Sequence, residues 1–340
     1  MAKRRKTFRK KITSPELTAQ INPDNIKLME RFLKNFATKR SPNSVVSYGS
    51  NLTIFFTWCL LECDNKFFID VKKRDLMDFF DYCVTELHHS PNRYAQLHSC
   101  LSSFSAWVEN FYDEDYPLFR NLLPKIEKPV KENVRKKTIL QKEDVDKLFK
   151  HFEENDMAQD ACLLALAISC GARVSELARF TTNLIDEENA VFEGLFLETT
   201  EEIATKGRGT TGKMLRKYIL KDAFLPHYHK WLGVRNDVMS ETGQDHGYIF
   251  VTKDGNPASA DRLKDWIADW SDIVGQPCYP HGLRHYHITS LRQYGLEDDL
   301  IVYLTGWAES TGHSMIAVYD DTTVAQKQWK GLDKLKAALG

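Results

Sequence analysis

The sequence has no uninterrupted apolar run of the length a bilayer requires, which leaves no simple membrane span. Its basic start, Met1 to Lys11, is not followed by an apolar stretch, so no secretory leader is expected there. Cysteine pairing motifs are missing too. The seven cysteines (Cys59, Cys63, Cys83, Cys100, Cys162, Cys170 and Cys278) include no CxxC pair and fall mostly within apolar helical stretches. That excludes a disulfide framework or a zinc knuckle and predicts a reducing, cytoplasmic compartment. Internal repeats and low-complexity stretches are also lacking. What remains is a chain of ordinary globular composition, long enough at 340 residues for two domains with their own cores.

Net charge is nearly absent as well, at -1, which looks wrong for a nucleic-acid binder until the chain is divided. Residues 1–137 hold 24 Lys and Arg against 16 Asp and Glu, a surplus of eight, and the rest hold 22 against 31, a deficit of nine. Within residues 1–21, Lys3, Arg4, Arg5, Lys6, Arg9, Lys10 and Lys11 are nearly contiguous. Such a cluster releases counterions from a phosphate backbone. On charge alone it fits a solvated tail equally well.

Residues 22–127 read as a bundle of four or five helices. Met29, Phe32, Leu33 and Phe36 keep helical spacing, as do Leu97, Leu101, Phe104, Val108 and Phe111. Ser41-Pro42-Asn43 and Ser90-Pro91-Asn92 each place serine at a helix cap and proline in the first turn. A basic, proline-containing linker covers 128–137, with Lys128, Lys131, Arg135, Lys136 and Lys137 suited to lie along phosphates. From 138 to 320 the pattern predicts a second, mostly helical domain. Its helices run over 140–152, 156–170 (stopped by Gly171), 225–232, 258–273 and 280–294, and a small antiparallel sheet occupies 190–220. Trp58 and Trp107 are expected in the core, and Tyr294 and Tyr303 are core candidates.

The informative polar residues are scattered. His281 and Arg284 stand three apart at the start of a helix, in PHGLRH, so both are expected on one face, near free N–H groups that suit an anion. Arg173 follows a glycine helix stop in GARVSEL. Lys206 stands at a turn between two expected strands, and Thr305-Gly306-Trp307 precedes Tyr319. His281, His285 and His287 also fit a metal cluster. Arg284 between them would repel a cation and no acidic ligand is adjacent, so no metal is expected.

GARVSEL, TKGRGTTGK, PHGLRH, TGW and the late tyrosine, in that order, resemble the tyrosine recombinases, the class of phage integrases, Xer proteins and Cre. The resemblance covers most of residues 138–325. It implies a helical core-binding domain followed by the catalytic domain, the two forming a C-shaped clamp on double-stranded DNA. It also implies a homotetramer on two sites, a Holliday junction intermediate, and no cofactor. By resemblance Tyr319 is the nucleophile, Arg173 and Arg284 clamp the scissile phosphate, and His281 is a base or phosphate ligand. Lys206 is then the acid, with Lys213 as its rival, and Glu176 orients Arg173 or its neighbours. Trp307 is the remaining phosphate donor, with His313 as rival and His285 nearby. Most members carry Gly-His closer to the tyrosine, so the extra residues here imply a longer turn. The resemblance further points to Ser41, Asn43, Ser47, Asn92, Arg93 and Gln96 as DNA readers, and to the tail 321–340, with Trp329, Leu332, Leu335 and Leu339, as a helix that docks on a neighbouring protomer. Accessory DNA-bending or directionality factors belong to the same picture. Integration or excision of a mobile element is the favoured role. Cre- or Xer-like resolution, a type IB topoisomerase and a non-catalytic DNA-binding relative are the alternatives.

Overall fold

A computed structural model describes residues 11–129, 138–205, 212–243, 245–307 and 309–319, and within the last segment the side chains of Glu309, Thr311 and Tyr319 are not described. The chain divides into two compact units, one running to residue 136 and the other comprising most of the chain from 137 onward. The basic tail up to Lys10, the linker residues Lys131, Arg135, Lys136 and Lys137, the turn lysine Lys206 and the tail 320–340 lie outside the described residues.

The first unit holds the single turn α1 (Pro15–Thr18) and the helices α2 (Pro23–Ala37), α3 (Pro42–Glu62), α4 (Lys73–Thr85) and α5 (Pro91–Phe111). Proline opens α2, α3 and α5, where its missing N–H costs nothing, and the Ser90 hydroxyl accepts the Arg93 N–H at 3.3 Å. Among the described helices α3 alone is long and apolar enough by composition to cross a bilayer. Its Leu52, Phe55, Phe56, Trp58 and Cys59 instead fill the bundle core with Phe79, Phe80 and Phe104, and Trp107 packs at the edge of that core.

The second unit begins with α6 (Lys142–Glu154), the largely apolar and buried α7 (Ala158–Cys170) and the one-turn α8 (Val174–Leu177). Five short strands follow: β1 (Ala190–Val191), β2 (Phe196–Glu198), β3 (Ile203–Thr205), β4 (Lys213–Leu215) and β5 (Tyr218–Leu220). The expected single sheet is two. β1, β2 and β5 form one antiparallel sheet, and β3 pairs with β4 in a separate hairpin. The break falls where Thr199 meets Lys217. The Thr199 N–H donates to the Lys217 carbonyl at 2.9 Å and its Oγ1 accepts the Lys217 N–H at 3.0 Å, which pinches both long strands at that point.

The remaining helices are α9 (Lys221–Thr242), longer than expected and containing Pro226, then α10 (Ala260–Asp269), α11 (Ser271–Val274), α12 (Pro280–Gln293), α13 (Asp298–Thr305) and α14 (Glu309–Tyr319). α7 is the central core helix, sheathed by α6, α9 and α12. Tyr294 and Tyr303 are exposed, at 69% and 57%, rather than core residues. Tyr294 caps the end of α12, and the Tyr303 hydroxyl meets that of Tyr218 at 2.7 Å. All seven cysteines are free and buried, and burial raises the pKa of each thiol, to about 12 for Cys83, Cys100 and Cys278.

Candidate active site

The end of α7 sets the first part of the site. Gly171 takes the left-handed conformation (φ 56°) and its N–H closes the helix on Ala167 at 3.1 Å. A Cβ there would lie 2.4 Å from Cδ2 of His287, so glycine also permits a close approach. The chain leaves extended, and Arg173 caps α8. Its N–H donates to Glu176 Oε2 at 3.0 Å and its Nη1 to Glu176 Oε1 at 2.9 Å. Glu176 has no exposed surface, and Oε2 accepts a further bond from Lys217 Nζ at 2.8 Å. Burial opposes the carboxylate's charge, but Lys217 and the Arg173 N–H outweigh it and hold Glu176 below the usual carboxylate range.

Pro280 starts α12, whose His281, Arg284, His285 and His287 carry the second part. The Arg284 guanidinium, 1% exposed, reaches back to donate through Nη1 to the Gly171 carbonyl, two residues before Arg173. The ring of Trp307 lies over it, with the guanidinium carbon 5.2 Å from the ring centroid, a cation–π contact. His281 is exposed, and its ring meets buried His285 edge-on at 5.9 Å. The two ends of the predicted shared face thus differ: Arg284 forms the floor and His281 the rim. His287, also buried, donates Nδ1–H to the Ile168 carbonyl at 2.7 Å, so it supports the Gly171 turn. Burial first, then the nearby Arg284 and Lys217 cations, pushes its pKa down to about 4.

The third part is the turn after α13. Gly306 is left-handed (φ 67°), its N–H bonds the Tyr303 carbonyl at 3.0 Å, and the Trp307 N–H bonds the Val302 carbonyl at 3.1 Å. These paired bonds are a Schellman stop, and they turn the Trp307 ring back toward Arg284. The predicted longer turn before Tyr319 is absent, because residues 309–319 are helix. Gly312 lets α14 press closely on α13: a Cβ at 312 would meet Val302 Cγ2 at 2.4 Å. His313, exposed on α14, faces Asp299 with Nε2 to Oδ1 at 3.1 Å. Trp307 and His313 both line a cavity of about 490 Å³, together with Lys213, Tyr218 and Gly306. Tyr319 is the last residue of α14.

The fold therefore gathers Arg173, Glu176, Arg284 and Trp307 around one turn, with His281 on the neighbouring helix rim. Lys213, exposed at the start of β4 opposite Thr205, borders the same cavity as Trp307. Lys217 went unremarked in the sequence. It sits in MLRKYIL, where strand alternation puts it on the face of Leu215 and Ile219, but nothing nearby in the sequence offers a partner for a buried ammonium.

In the bundle, Asn43 and Asn92 are exposed at the starts of α3 and α5, and Lys128 is exposed beyond it. Arg93 Nη1 donates to Gln96 Oε1 at 2.7 Å, and Gln96 Nε2 donates to Ser47 Oγ at 3.2 Å, which links the two helix starts. Ser41 Oγ pairs with Ser44 Oγ at 3.0 Å.

Residues 138–324, more than half of the chain, match the profile of the phage integrase family. A protein named tyrosine recombinase XerC from Caldanaerobacter subterraneus subsp. tengcongensis is 23% identical over 293 residues, which are 80% of this chain and 76% of the relative. The fold is similar to the Tn1549 transposon integrase in complex with transposon right end DNA, with a TM-score of 0.64 at 14% identity over 92% of this chain and 99% of that one. It is also similar to the lambda integrase of a tetramer bound to a Holliday junction, with a TM-score of 0.62 at 16% identity over 90% and 80%. With two arginines and a tryptophan gathered at the turns where the motifs GARVSEL, PHGLRH and TGW fall, and a family match across most of the second unit, this chain belongs to the phage integrase family, the tyrosine recombinases, enzymes that cleave and rejoin DNA.

Proposed function

We propose that this chain is a site-specific recombinase in which Tyr319 attacks the scissile phosphate of duplex DNA. The phenolic oxygen bonds to phosphorus, the 5′ oxygen leaves with a proton, and a 3′-phosphotyrosyl ester remains. A 5′ hydroxyl from the partner strand then attacks that ester and frees the tyrosine. The ester conserves the energy of the broken bond, so the scheme requires neither metal nor ATP. Arg173 and Arg284 hold the non-bridging oxygens, since planar guanidinium forks match phosphate geometry and stabilise the charge of the five-coordinate state. Lys206 protonates the leaving oxygen, with Lys213 as its substitute, and His281 takes the tyrosine proton or binds the phosphate. The stacking of Trp307 on Arg284 favours Trp307 as the further N–H donor, and the pairing of His313 with Asp299 disfavours its rival.

One observation carries the reading: Arg284 is bonded to the carbonyl two residues before Arg173, so guanidinium groups 111 residues apart in sequence share one turn. On a nicked suicide substrate the wild type should accumulate a covalent protein–DNA adduct, and Tyr319→Phe should bind the same DNA and form none. An adduct retained by Tyr319→Phe would overturn the assignment.

In the same proposal the bundle also grips the DNA. Asn43, Asn92, Arg93 and Gln96 read bases or phosphates, with Ser41 and Ser47 supporting, and Lys128, Lys131, Arg135, Lys136 and Lys137 follow the backbone. Four protomers act on two sites through a Holliday junction, each tail 321–340 docking on a neighbour, with DNA-bending or directionality factors assisting. Deleting residues 325–340 should then abolish synapsis. The protein would work in the cytoplasm, where integration or excision of a mobile element is favoured over Xer-like resolution. Sequencing the DNA captured as adduct separates the two: attachment-type sites flanking an element support the first, and a single chromosomal or plasmid site supports the second.

A further inference from the structure

Glu176 accepts three hydrogen bonds, two from Arg173 and one from Lys217. The carboxylate and the lysine are both buried, at 0% and 3% side-chain exposure, whereas Arg173 keeps 27% of its side chain exposed. An Arg173–Glu176 pair alone is neutral, and its field at an incoming phosphate largely cancels. Adding the Lys217 ammonium returns the trio to a net charge of one, carried at its exposed end by Arg173. The lysine is held in place by its own backbone, which exchanges two hydrogen bonds with Thr199 between β4 and β5. A buried ion kept on so rigid a mount is costly in desolvation unless it compensates another buried charge.

We infer that Lys217 is a positioning residue for strand cleavage: it neutralises and fixes Glu176, so that Arg173 meets the scissile phosphate with its full positive charge. The inference rests on the reading of Arg173 as a phosphate ligand. It assigns the segment between β4 and β5 an indirect part in the reaction, exerted through Glu176. The titratable and charged groups facing the trio are Cys170 from α7 and Arg284 and His287 from α12. None of them is an anion able to replace Glu176, given the buried neutral thiol of Cys170, which is pushed up to about 11 by burial.

The test measures single-turnover cleavage of a suicide substrate and DNA affinity for Lys217→Met, Lys217→Arg, Glu176→Gln and the double variant Glu176→Gln/Lys217→Met, with Arg173→Ala in parallel. Lys217→Met should slow cleavage by roughly 10- to 100-fold, the range for outer partners of a reacting site, with affinity changed by less than about threefold. Lys217→Arg should recover most of that loss. Once residue 176 is uncharged the lysine has nothing to neutralise, so the double variant should cleave within about threefold of Glu176→Gln and faster than Lys217→Met. The ratio of Lys217→Met to wild-type rate should rise toward one as pH falls, because protonating the uncompensated Glu176 frees Arg173, and groups common to both proteins cancel in the ratio. A wild-type rate for Lys217→Met, a pH-independent ratio, or a double variant far slower than Glu176→Gln would overturn the inference. Should Lys217→Met not fold, the comparison of the double variant with Glu176→Gln decides alone. Full activity in Arg173→Ala would instead sink the phosphate-ligand reading, whatever Lys217 does.

Discussion

The helical bundle and the catalytic unit each enclose a well-filled apolar core, yet they differ in what else they bury. The bundle packs ring against ring: Phe55 meets Phe79 edge-on at 5.0 Å, and Phe68 meets Phe104 at 4.7 Å. Its buried polar groups are Asn25, Asn51, Thr57, Asp75, His98 and Ser105, with Asp75 tied to Lys66 at 3.3 Å. The catalytic unit buries Glu176, Lys217, Arg235, Arg284, His285 and His287. Burying charge is expensive, and it is tolerated where partners lie at hand. Arg235 has a structural partner in Asp245, but Glu176, Lys217 and Arg284 converge on the site. A core of rings gives a stiff platform, while a core that includes charges holds a field in place.

The sharpest way to break this contrast is a deletion in the platform. Phe55→Ala should cost about 3–5 kcal/mol in denaturant-induced unfolding of the bundle and leave the cleavage rate per folded molecule unchanged. If that rate collapsed at unchanged stability, the division of labour would be wrong. Arg284→Ala should do the reverse: cleavage falls about 10²–10³-fold on a suicide substrate, and stability changes less than in Phe55→Ala.

Acid should separate the two units next. His287 is held at about 4 when folded, against an ordinary histidine value near 6.5, so the unfolded chain takes up its proton first. The stability this histidine permits is therefore complete above about pH 6.5 and is lost as pH falls toward 4, on the order of 3 kcal/mol. Glu176 adds a loss only at lower pH, since its carboxyl lies below the usual range. Calorimetry across this window should show a slope that His287→Phe flattens. Burial also lowers His98 in the bundle, so His98→Phe should flatten the bundle's own slope.

Smaller effects sharpen the picture. Gly306→Ala places a Cβ 2.5 Å from Leu215 Cδ1 in a left-handed turn, and should cost about 1–2 kcal/mol while slowing adduct formation through a displaced Trp307. Ser90→Ala removes one cap bond from α5 and should cost about 1 kcal/mol in the bundle alone, with no change in cleavage.

Local signals were the legible ones. Ser-Pro-Asn starts, Pro280 and the Gly171 stop each act within a turn, so the helices they bound stand near where the sequence puts them. The two arginines and Trp307 were readable because their motifs are short and sit at such boundaries. What escaped depends on distant partners. The split of the sheet follows from Thr199 meeting Lys217, the burial of Lys217 goes with Glu176 lying 41 residues away, and the close packing of α14 on α13 depends on Gly312 against Val302. Tyr303, a core candidate as an aromatic, is exposed instead, because its hydroxyl finds that of Tyr218 at the surface.

The bond from Arg284 to the Gly171 carbonyl joins segments 113 residues apart. Contacts of such sequence separation close a large loop and form only after the intervening chain is in place. A chain still emerging from the ribosome, with α7 made and α12 not yet synthesised, thus lacks the turn at which the two arginine-bearing segments meet. The order in which the parts are born sets when that turn can first close, which is after the later of the two segments has been made.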